Sequence, residues 1–397
     1  MKLIRRDFYL DRLKAVIGTP DIKVITGVRR CGKSKLMEMF INDVKDTVPD
    51  ANVICVNFNL PRFESVMEYH ALYDYIEKHF AEGKQNFVFI DEVQMCKGFE
   101  WAVNWLHATE RYDIYITGSN AFLLGNDLAT LFTGRTFEIQ VFPFSLSEYM
   151  KYFELEDSQK ALASYMTDGG MAGTYVYKSQ QARYDYLLNV VNTLIVRDIQ
   201  QKHKIRNVQC MDRLCDYMMD NVSNLFSARN AAKALELQYG NVSNKTIVNY
   251  IDYLCNAFAF YRVRRYDIQG KRYLSSTDKY YLCDHAFRYA KLGTKNMNYG
   301  RMLENVAAIE LMRRGYEVYA GKLQGKEVDF VALKRSEKLY IQVSDDIGNE
   351  KTLEREAASL LQIKDAYPKL IIARTGHSEY QYDGVRILDA ADWLCGR

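Results

Sequence analysis

The stretch "DIKVITGVRRCGKSKLMEMFINDV", Asp21 to Val44, decides how the chain is read. Ile22 to Thr26 is a short β-rich run, and Gly27 to Ser34 fits G-x-x-x-x-G-K-S. Lys35 to Val44 then places Leu36, Met37, Phe40, Ile41 and Val44 on one side of a helix. Strand, glycine loop and helix together form the context a phosphate-binding loop requires. Gly27 and Gly32 let the backbone curl, so the run Val28, Arg29, Arg30, Cys31, Gly32, Lys33, Ser34, Lys35 turns successive N–H groups toward phosphates. The helix N-terminus adds its positive end. Lys33 is expected to reach the β- and γ-phosphates and Ser34 to ligate Mg²⁺, so ATP and Mg²⁺ are the expected cofactors.

A second segment agrees. "NFVFIDEVQ" gives an apolar strand, Phe87 to Ile90, ending in Asp91 and Glu92. A continuous apolar run is the mark of a buried parallel strand, and ligand groups gather at the carboxyl ends of such strands. Asp91 is expected to hold Mg²⁺ and Glu92 to polarise the attacking water. A third strand, "YDIYITGSNAFLL", ends in Thr117, Gly118, Ser119 and Asn120. Asn120, or else Ser119, sits where a polar side chain senses the γ-phosphate. Either also serves as the N-cap of the helix that follows.

Composition sets the outer limits. A chain of 397 residues suggests two to four domains, and 48% hydrophobic with 26% charged residues is ordinary for a globular protein. No apolar run approaches the roughly 20 residues a membrane helix needs, and the first residues lack a signal-peptide core, so a cytoplasmic protein with no membrane partner is expected. The eight cysteines and six histidines are scattered without a C-x-x-C pair. That spacing favours reduced, structural thiols over a zinc site or a disulfide framework. Net charge is only +3, so any nucleic-acid surface must be local.

"TGVRRCGKS", "FIDEVQ", "ITGSN" and "LFTGRTFEIQVFPFSLSEY" together resemble the AAA+-type ATPases of bacteria and archaea that carry a C-terminal domain of unknown function. The double arginine in the loop and the TGR…PFS segment carry the resemblance furthest. It implies that Arg135 stands at an arginine-finger or sensor position, where it would stabilise charge on the transferred phosphoryl group. Action in trans would require a homo-oligomer; the alternative is an ion pair within its own domain. It also implies that the helices of 147–206, broken at Gly169-Gly170, form a lid over the nucleotide.

From Leu225 onward the order is helix, turn, helix, hairpin, as in a winged helix–turn–helix. Ser227 and Ser243 cap the helices, and Ile247, Val248, Ile251 and Leu254 line the buried side of the second. That helix would present Asn244, Lys245 and Asn249. The hairpin would present Arg262, Arg264, Arg265, Lys271 and Arg272. Gln200 to Ser275 holds 12 Lys+Arg against 6 Asp+Glu, a local basic footprint of the kind that binds phosphate backbones. DNA is therefore a plausible partner. A protein partner fits the same module, since winged helices also act as adaptors.

The last part reads as helix, three strands, helix, strand, and resembles a restriction-endonuclease-like core. Such cores place an acid on the first helix, an Asp on one strand and Glu-x-Lys on the next. Here Glu304 and Asp329 match, but Gln342 stands in the place of the Glu and Ser344 in that of the Lys. A neutral amide is a poor ligand for a hard cation, so a degenerate nuclease-like domain is expected. The expected fold class is α/β: an AAA+-like P-loop NTPase core with a parallel sheet (1–146), a helical lid (147–206), a winged helix (207–276) and a restriction-endonuclease-like domain (277–397). The function expected is Mg²⁺-dependent ATP hydrolysis that switches the arrangement of the other domains. An ATP-gated nuclease and a regulatory ATPase acting on a protein are the alternatives.

Overall fold

The structure, a computed structural model, describes residues 2–118, 132, 134–205, 207–239, 242–270, 272–294 and 298–396. These fall into two compact bodies, residues 3–141 and residues from 142 onward together with the amino terminus.

The first body is a five-stranded parallel sheet in the order β2-β3-β4-β1-β5. Its strands are β1 (Ile22–Thr26), β2 (Asn52–Asn57), β3 (Asn86–Asp91), β4 (Tyr112–Thr117) and β5 (Thr136–Gln140). Helices α1 (Asp7–Lys14), α2 (Lys33–Thr47), α3 (Tyr69–Lys78) and α4 (Phe99–Ala108) complete it. β1 and β3 are buried along their whole length, as a sheet covered on both faces requires. Val24, Ile90 and Ile116 share one core with Leu72 and Ile76 of α3 and Val103 and Leu106 of α4. Phe40 of α2 meets the rings of Phe89 and Tyr115. Lys23 of β1 and Asp113 of β4 form an ion pair of 2.6 Å, with side chains 0% and 5% exposed. The Gly18 N–H donates to the second Asp113 oxygen, and the Lys23 ammonium donates to the Thr19 carbonyl. These partners answer the desolvation a buried pair otherwise suffers.

The second body contains a nine-stranded sheet in the order β13-β14-β12-β11-β10-β9-β7-β8-β6. In chain order its elements are α5 (Leu146–Phe153), α6 (Ser158–Asp168), α7 (Gln180–Thr193), α8 (Val208–Asp220), β6 (Leu225–Phe226), α9 (Ala228–Tyr239), α10 (Asn244–Asn256), β7 (Phe260–Asp267), β8 (Arg272–Leu282), α11 (Ala286–Leu292), α12 (Tyr299–Arg313), β9 (Glu317–Leu323), β10 (Lys326–Lys334), β11 (Glu337–Ser344), α13 (Glu350–Leu361), β12 (Lys369–Ala373), β13 (Tyr380–Tyr382), β14 (Val385–Asp389) and α14 (Ala390–Cys395). Ser243 caps α10 through the Thr246 N–H at 3.1 Å. Tyr250, rather than Val248, joins Ile247, Ile251 and Leu254 on its buried side; Val248 is 37% exposed.

All three expected boundaries fall inside this body. The one at 276/277 cuts through β8. β7 pairs parallel with β9, Arg265 beside Ala320 and Asp267 beside Lys322. Tyr266 and Ile268 lie in one core with Val328, Val331, Ile371 and Ile387. The hairpin is therefore a continuation of the C-terminal sheet and not a free wing. The residues read as a lid also belong to this body. Gln159 of α6 donates to Asp389 at 2.6 Å and Ser158 to Asp392 at 3.1 Å. The Gly169-Gly170 break has a steric cause. A Cβ on Gly169 would lie 2.3 Å from Asp284 Oδ1, and one on Gly170 would lie 2.4 Å from the Phe144 carbonyl. The buried Asp284 carboxylate receives the Gly170 and Ala286 N–H groups at 2.8 and 2.9 Å.

If the hairpin needs β9, a fragment of residues 207–276 should be unfolded or aggregated by circular dichroism, whereas a fragment from residue 142 onward should melt cooperatively. A folded 207–276 fragment would contradict the pairing.

Candidate functional site

The carboxyl ends of β1, β3 and β4 meet at one place because β4 lies between β1 and β3. The loop after β1 needs its glycines. Gly27 has φ +138°, and a Cβ there would lie 2.1 Å from the Val141 carbonyl; Gly32 has φ +104°. Both conformations exclude L side chains at low cost. Lys33 opens α2 with its ammonium folded into the loop, donating to the carbonyls of Gly27 at 2.9 Å and Val28 at 3.2 Å. Ser34 Oγ donates to Asp91 Oδ1 at 3.0 Å. Thr117, the last residue of β4, donates to the same oxygen. Burial pushes the Asp91 carboxyl above its ordinary pKa, although the Thr117 and Ser34 hydroxyls pull it the other way. Glu92 follows at φ +57°, a left-handed conformation uncommon away from glycine. Its N–H donates to Thr117 Oγ1 at 3.3 Å, and its carboxylate accepts from the Gln94 amide.

Thus Lys33, Ser34, Asp91 and Glu92 come together as expected. A Mg²⁺ ion fits the Ser34 hydroxyl and the Asp91 carboxylate, two hard oxygen donors already in contact. Two further residues were not read from the sequence. Thr117 had been passed over for Asn120, which lies outside the described residues together with Ser119. Arg6, 4% exposed, donates to the Cys31 carbonyl at 3.1 Å and so braces the loop. No spacing pattern in the sequence ties Arg6 to that loop. Lys35 is exposed and pairs with Glu38 of its own helix. Arg30 is exposed and Arg29 half-buried.

Arg135 does not belong to this site. Its carbonyl accepts the Ile22 N–H at the amino end of β1, roughly 16 Å along the strand from Gly27 at about 3.3 Å per residue. It is exposed and forms no ion pair among the described residues.

Of the expected nucleic-acid residues, Lys245, Asn249 and Arg264 are exposed. Arg265 is half-buried, on a strand with neighbours on both sides. Arg262 is engaged by Asp252 and lies 3.7 Å from Asp278. Lys271 and the Arg272 side chain lie outside the described residues.

The C-terminal residues do converge, in the second body. Glu304 on α12, Asp329 on β10 and Ser344 at the end of β11 line one cleft, and Gln342 lies beside Asp329. The Gln342 Oε1 accepts the Asp329 N–H at 2.6 Å, next to the β-bulge between Val328 and Val331, and its Nε2 donates to Glu356 at 3.2 Å. Gln342 therefore repairs a break in the ladder. Ser344 donates to the Asp346 carbonyl at 3.1 Å. A lysine that the sequence reading did not single out, Lys279 of β8, reaches this centre. Burial alone would lower the pKa of its ammonium; Glu304, Asp329 and Glu327 outweigh that and leave it raised. Burial also raises the carboxyls of Glu304 and Asp329. Among the described residues no helix is long and apolar enough to cross a membrane.

The chain is 35% identical to an uncharacterized protein of Haemophilus influenzae over 99% of its own length and 98% of that protein, and the two belong to one family. An uncharacterized protein of Methanocaldococcus jannaschii is 26% identical over 84% of this chain and 77% of its own. Residues 19–150 match an AAA domain family, and residues 159–298 match a domain of unknown function. The first body is thus an AAA domain. The second match runs across 206/207 and 276/277, two of the three positions at which boundaries are expected from the sequence. Among solved structures, the Walker-type ATPase PABY2304 of Pyrococcus abyssi is 16% identical, with a TM-score of 0.46 over 73% of this chain and 96% of that one. The Orc1 protein of Aeropyrum pernix in complex with DNA gives 12% and 0.35 over 73% and 92%. Scores this low bear on neither ligand nor partner.

The Asp91 environment makes a pH prediction. A carboxyl whose pKa is raised on folding adds stability below its unfolded value and loses it as pH rises through the folded one. Asp91→Asn should therefore make the nucleotide-free protein more stable than wild type at neutral pH, by roughly 1 kcal/mol or more. The gap should close below about pH 4. Melting curves across pH check this; a gap independent of pH would contradict it.

Proposed function

We propose that this chain binds ATP with Mg²⁺ at the carboxyl ends of β1, β3 and β4, hydrolyses it, and uses the nucleotide state to alter the second body. The observation that carries this reading is the single oxygen of Asp91 shared by Ser34 and Thr117 beside the Lys33 loop. Lys33 and the loop N–H groups hold the β- and γ-phosphates. Ser34 and Asp91 are the residues that would hold Mg²⁺, which supplies charge neutralisation on the phosphates when bound. Glu92 is the group to orient and deprotonate water, once released from Gln94. Thr117 fixes Asp91 and the Glu92 backbone together. Asn120 remains the candidate γ-phosphate sensor. Arg135, exposed and distant from its own loop, suits only the active site of a second copy, so a homo-oligomer is the form in which it would act.

In the second body we read α8, β6, α9, α10, β7 and β8 as a winged helix fused to a restriction-endonuclease-like core of α12, β9, β10, β11, α13 and β12. DNA is the first candidate partner, through Lys245, Asn249, Arg264, Lys271 and Arg272. A protein partner is the second reading. The engagement of Arg262 by two carboxylates favours it, because that removes a charge from the basic footprint.

Turnover of ATP measured with and without DNA across a salt series tests the proposal. Lys33→Ala should abolish nucleotide binding, and Glu92→Gln should keep binding while turnover falls roughly 10²-fold or more. Stimulation by DNA that fades with salt and is lost in Lys245→Ala/Arg264→Ala would support the DNA reading. Turnover unchanged in Lys33→Ala would overturn the ATPase reading. Turnover indifferent to DNA would leave the protein partner.

A further inference from the structure

The C-terminal centre holds three carboxylates, from Glu304, Glu327 and Asp329, around one point. In a metal-dependent nuclease of this frame that point belongs to a divalent ion. Here the Lys279 ammonium, 2% exposed, stands there, 2.9 Å from Glu304 Oε1, 2.5 Å from Glu327 Oε1 and 3.8 Å from Asp329 Oδ1. Other donors share these carboxylates. Tyr281 donates its hydroxyl to the same Glu304 oxygen at 2.7 Å, and the Val343 N–H donates to Asp329 Oδ2 at 2.9 Å. The Gln342 oxygen is taken by the Asp329 N–H. A hard dication needs several free oxygens in its first coordination sphere. Glu304 Oε1, Glu327 Oε1 and Asp329 Oδ2 are taken by N–H and O–H donors, and a dication beside Glu304 and Asp329 would face a buried ammonium of like charge. Access is not the obstacle, since Glu304 and Asp329 open onto a cleft of about 790 Å³. Consistent with this, no group of three or more His, Cys, Asp or Glu among the described residues is arranged to hold a metal ion.

We propose that Lys279 is the resident cation of this centre: its ammonium takes the place of the divalent ion, so the core is metal-free by construction and cannot run metal-dependent phosphodiester cleavage. This rests on the geometry of the second body and not on nucleotide hydrolysis by the first. It also assigns the loss of the Glu-x-Lys pair a consequence. With the cation supplied by β8, Gln342 serves the β-bulge and Ser344 the turn after β11, and neither is required as a ligand or counter-ion.

The test uses the full chain, without nucleotide, carrying Ser34→Ala to weaken the phosphate-loop metal site. Mn²⁺ binding is followed by electron paramagnetic resonance. The Ser34→Ala protein should show no Mn²⁺ site that Asp329→Asn removes. Adding Lys279→Met should create one, at least tenfold tighter than any site in the parent, and Mn²⁺ should then raise its melting temperature. Asp329→Asn or Glu304→Gln should abolish that gain. Lys279→Met/Glu327→Gln, with one uncompensated carboxylate fewer, serves if the single variant does not fold. A Mn²⁺ site in the parent that depends on Asp329 would overturn the proposal without need of any Lys279 variant. So would a folded Lys279 variant that gains no site.

Discussion

A carboxylate at the end of a fully buried strand must be compensated, and in the first body Asp91 is that carboxylate. Ser34 and Thr117 both donate to one of its oxygens. Each belongs to an element adjoining β1: Ser34 to the helix that follows it, Thr117 to the neighbouring strand β4. The strand order therefore matters chemically. With β4 between β3 and β1, one hydroxyl can touch Asp91 and also receive the Glu92 N–H. The Lys23–Asp113 pair ties β1 to β4 elsewhere in the sheet, so the two strands that frame the phosphate loop are fixed relative to each other. A rigid sheet with polar groups at its carboxyl ends is a scaffold for phosphate chemistry.

The second body solves a similar problem with an internal cation. Lys279 lies on β8, whose other partners belong to the helical module: it pairs with Leu225 of β6 and Val263 of β7. Two residues along, Tyr281 reaches Glu304, and Asn305 clamps the backbone of Leu282 at 2.7 and 3.0 Å. The same strand thus carries the module's hairpin and fills the acid centre. Loss of the module would leave buried carboxylates without a counter-charge, and loss of the core would leave a buried ammonium without one.

Local patterns were legible in the sequence and distant pairings were not. The P-loop, the Asp91-Glu92 pair and the capped helix at Ser243 each depend on residues within a few positions of one another. The hairpin was equally visible as two strands, but its partner β9 lies some fifty residues on, and nothing local distinguishes a free wing from an internal ribbon. Arg262 read as exposed because its partners Asp252 and Asp278 sit on a helix and on the paired strand. Lys279, in "STDKYYL", has no local mark that sets it apart from other strand residues. Only the placement of α12 and β10 against it reveals a buried ammonium. Gln342 and Ser344 read in the sequence as departures from Glu-x-Lys, and the lysine beside Glu304 and Asp329 comes from another segment altogether.

The most direct test of the central arrangement is the affinity of a fluorescent ADP analogue with and without Mg²⁺, in wild type, Ser34→Ala and Asp91→Asn. If Ser34 and Asp91 are the metal-holding pair, Mg²⁺ will tighten binding in wild type, and most of that tightening will vanish in both variants while metal-free affinity changes little. Equal tightening in all three proteins would contradict the account.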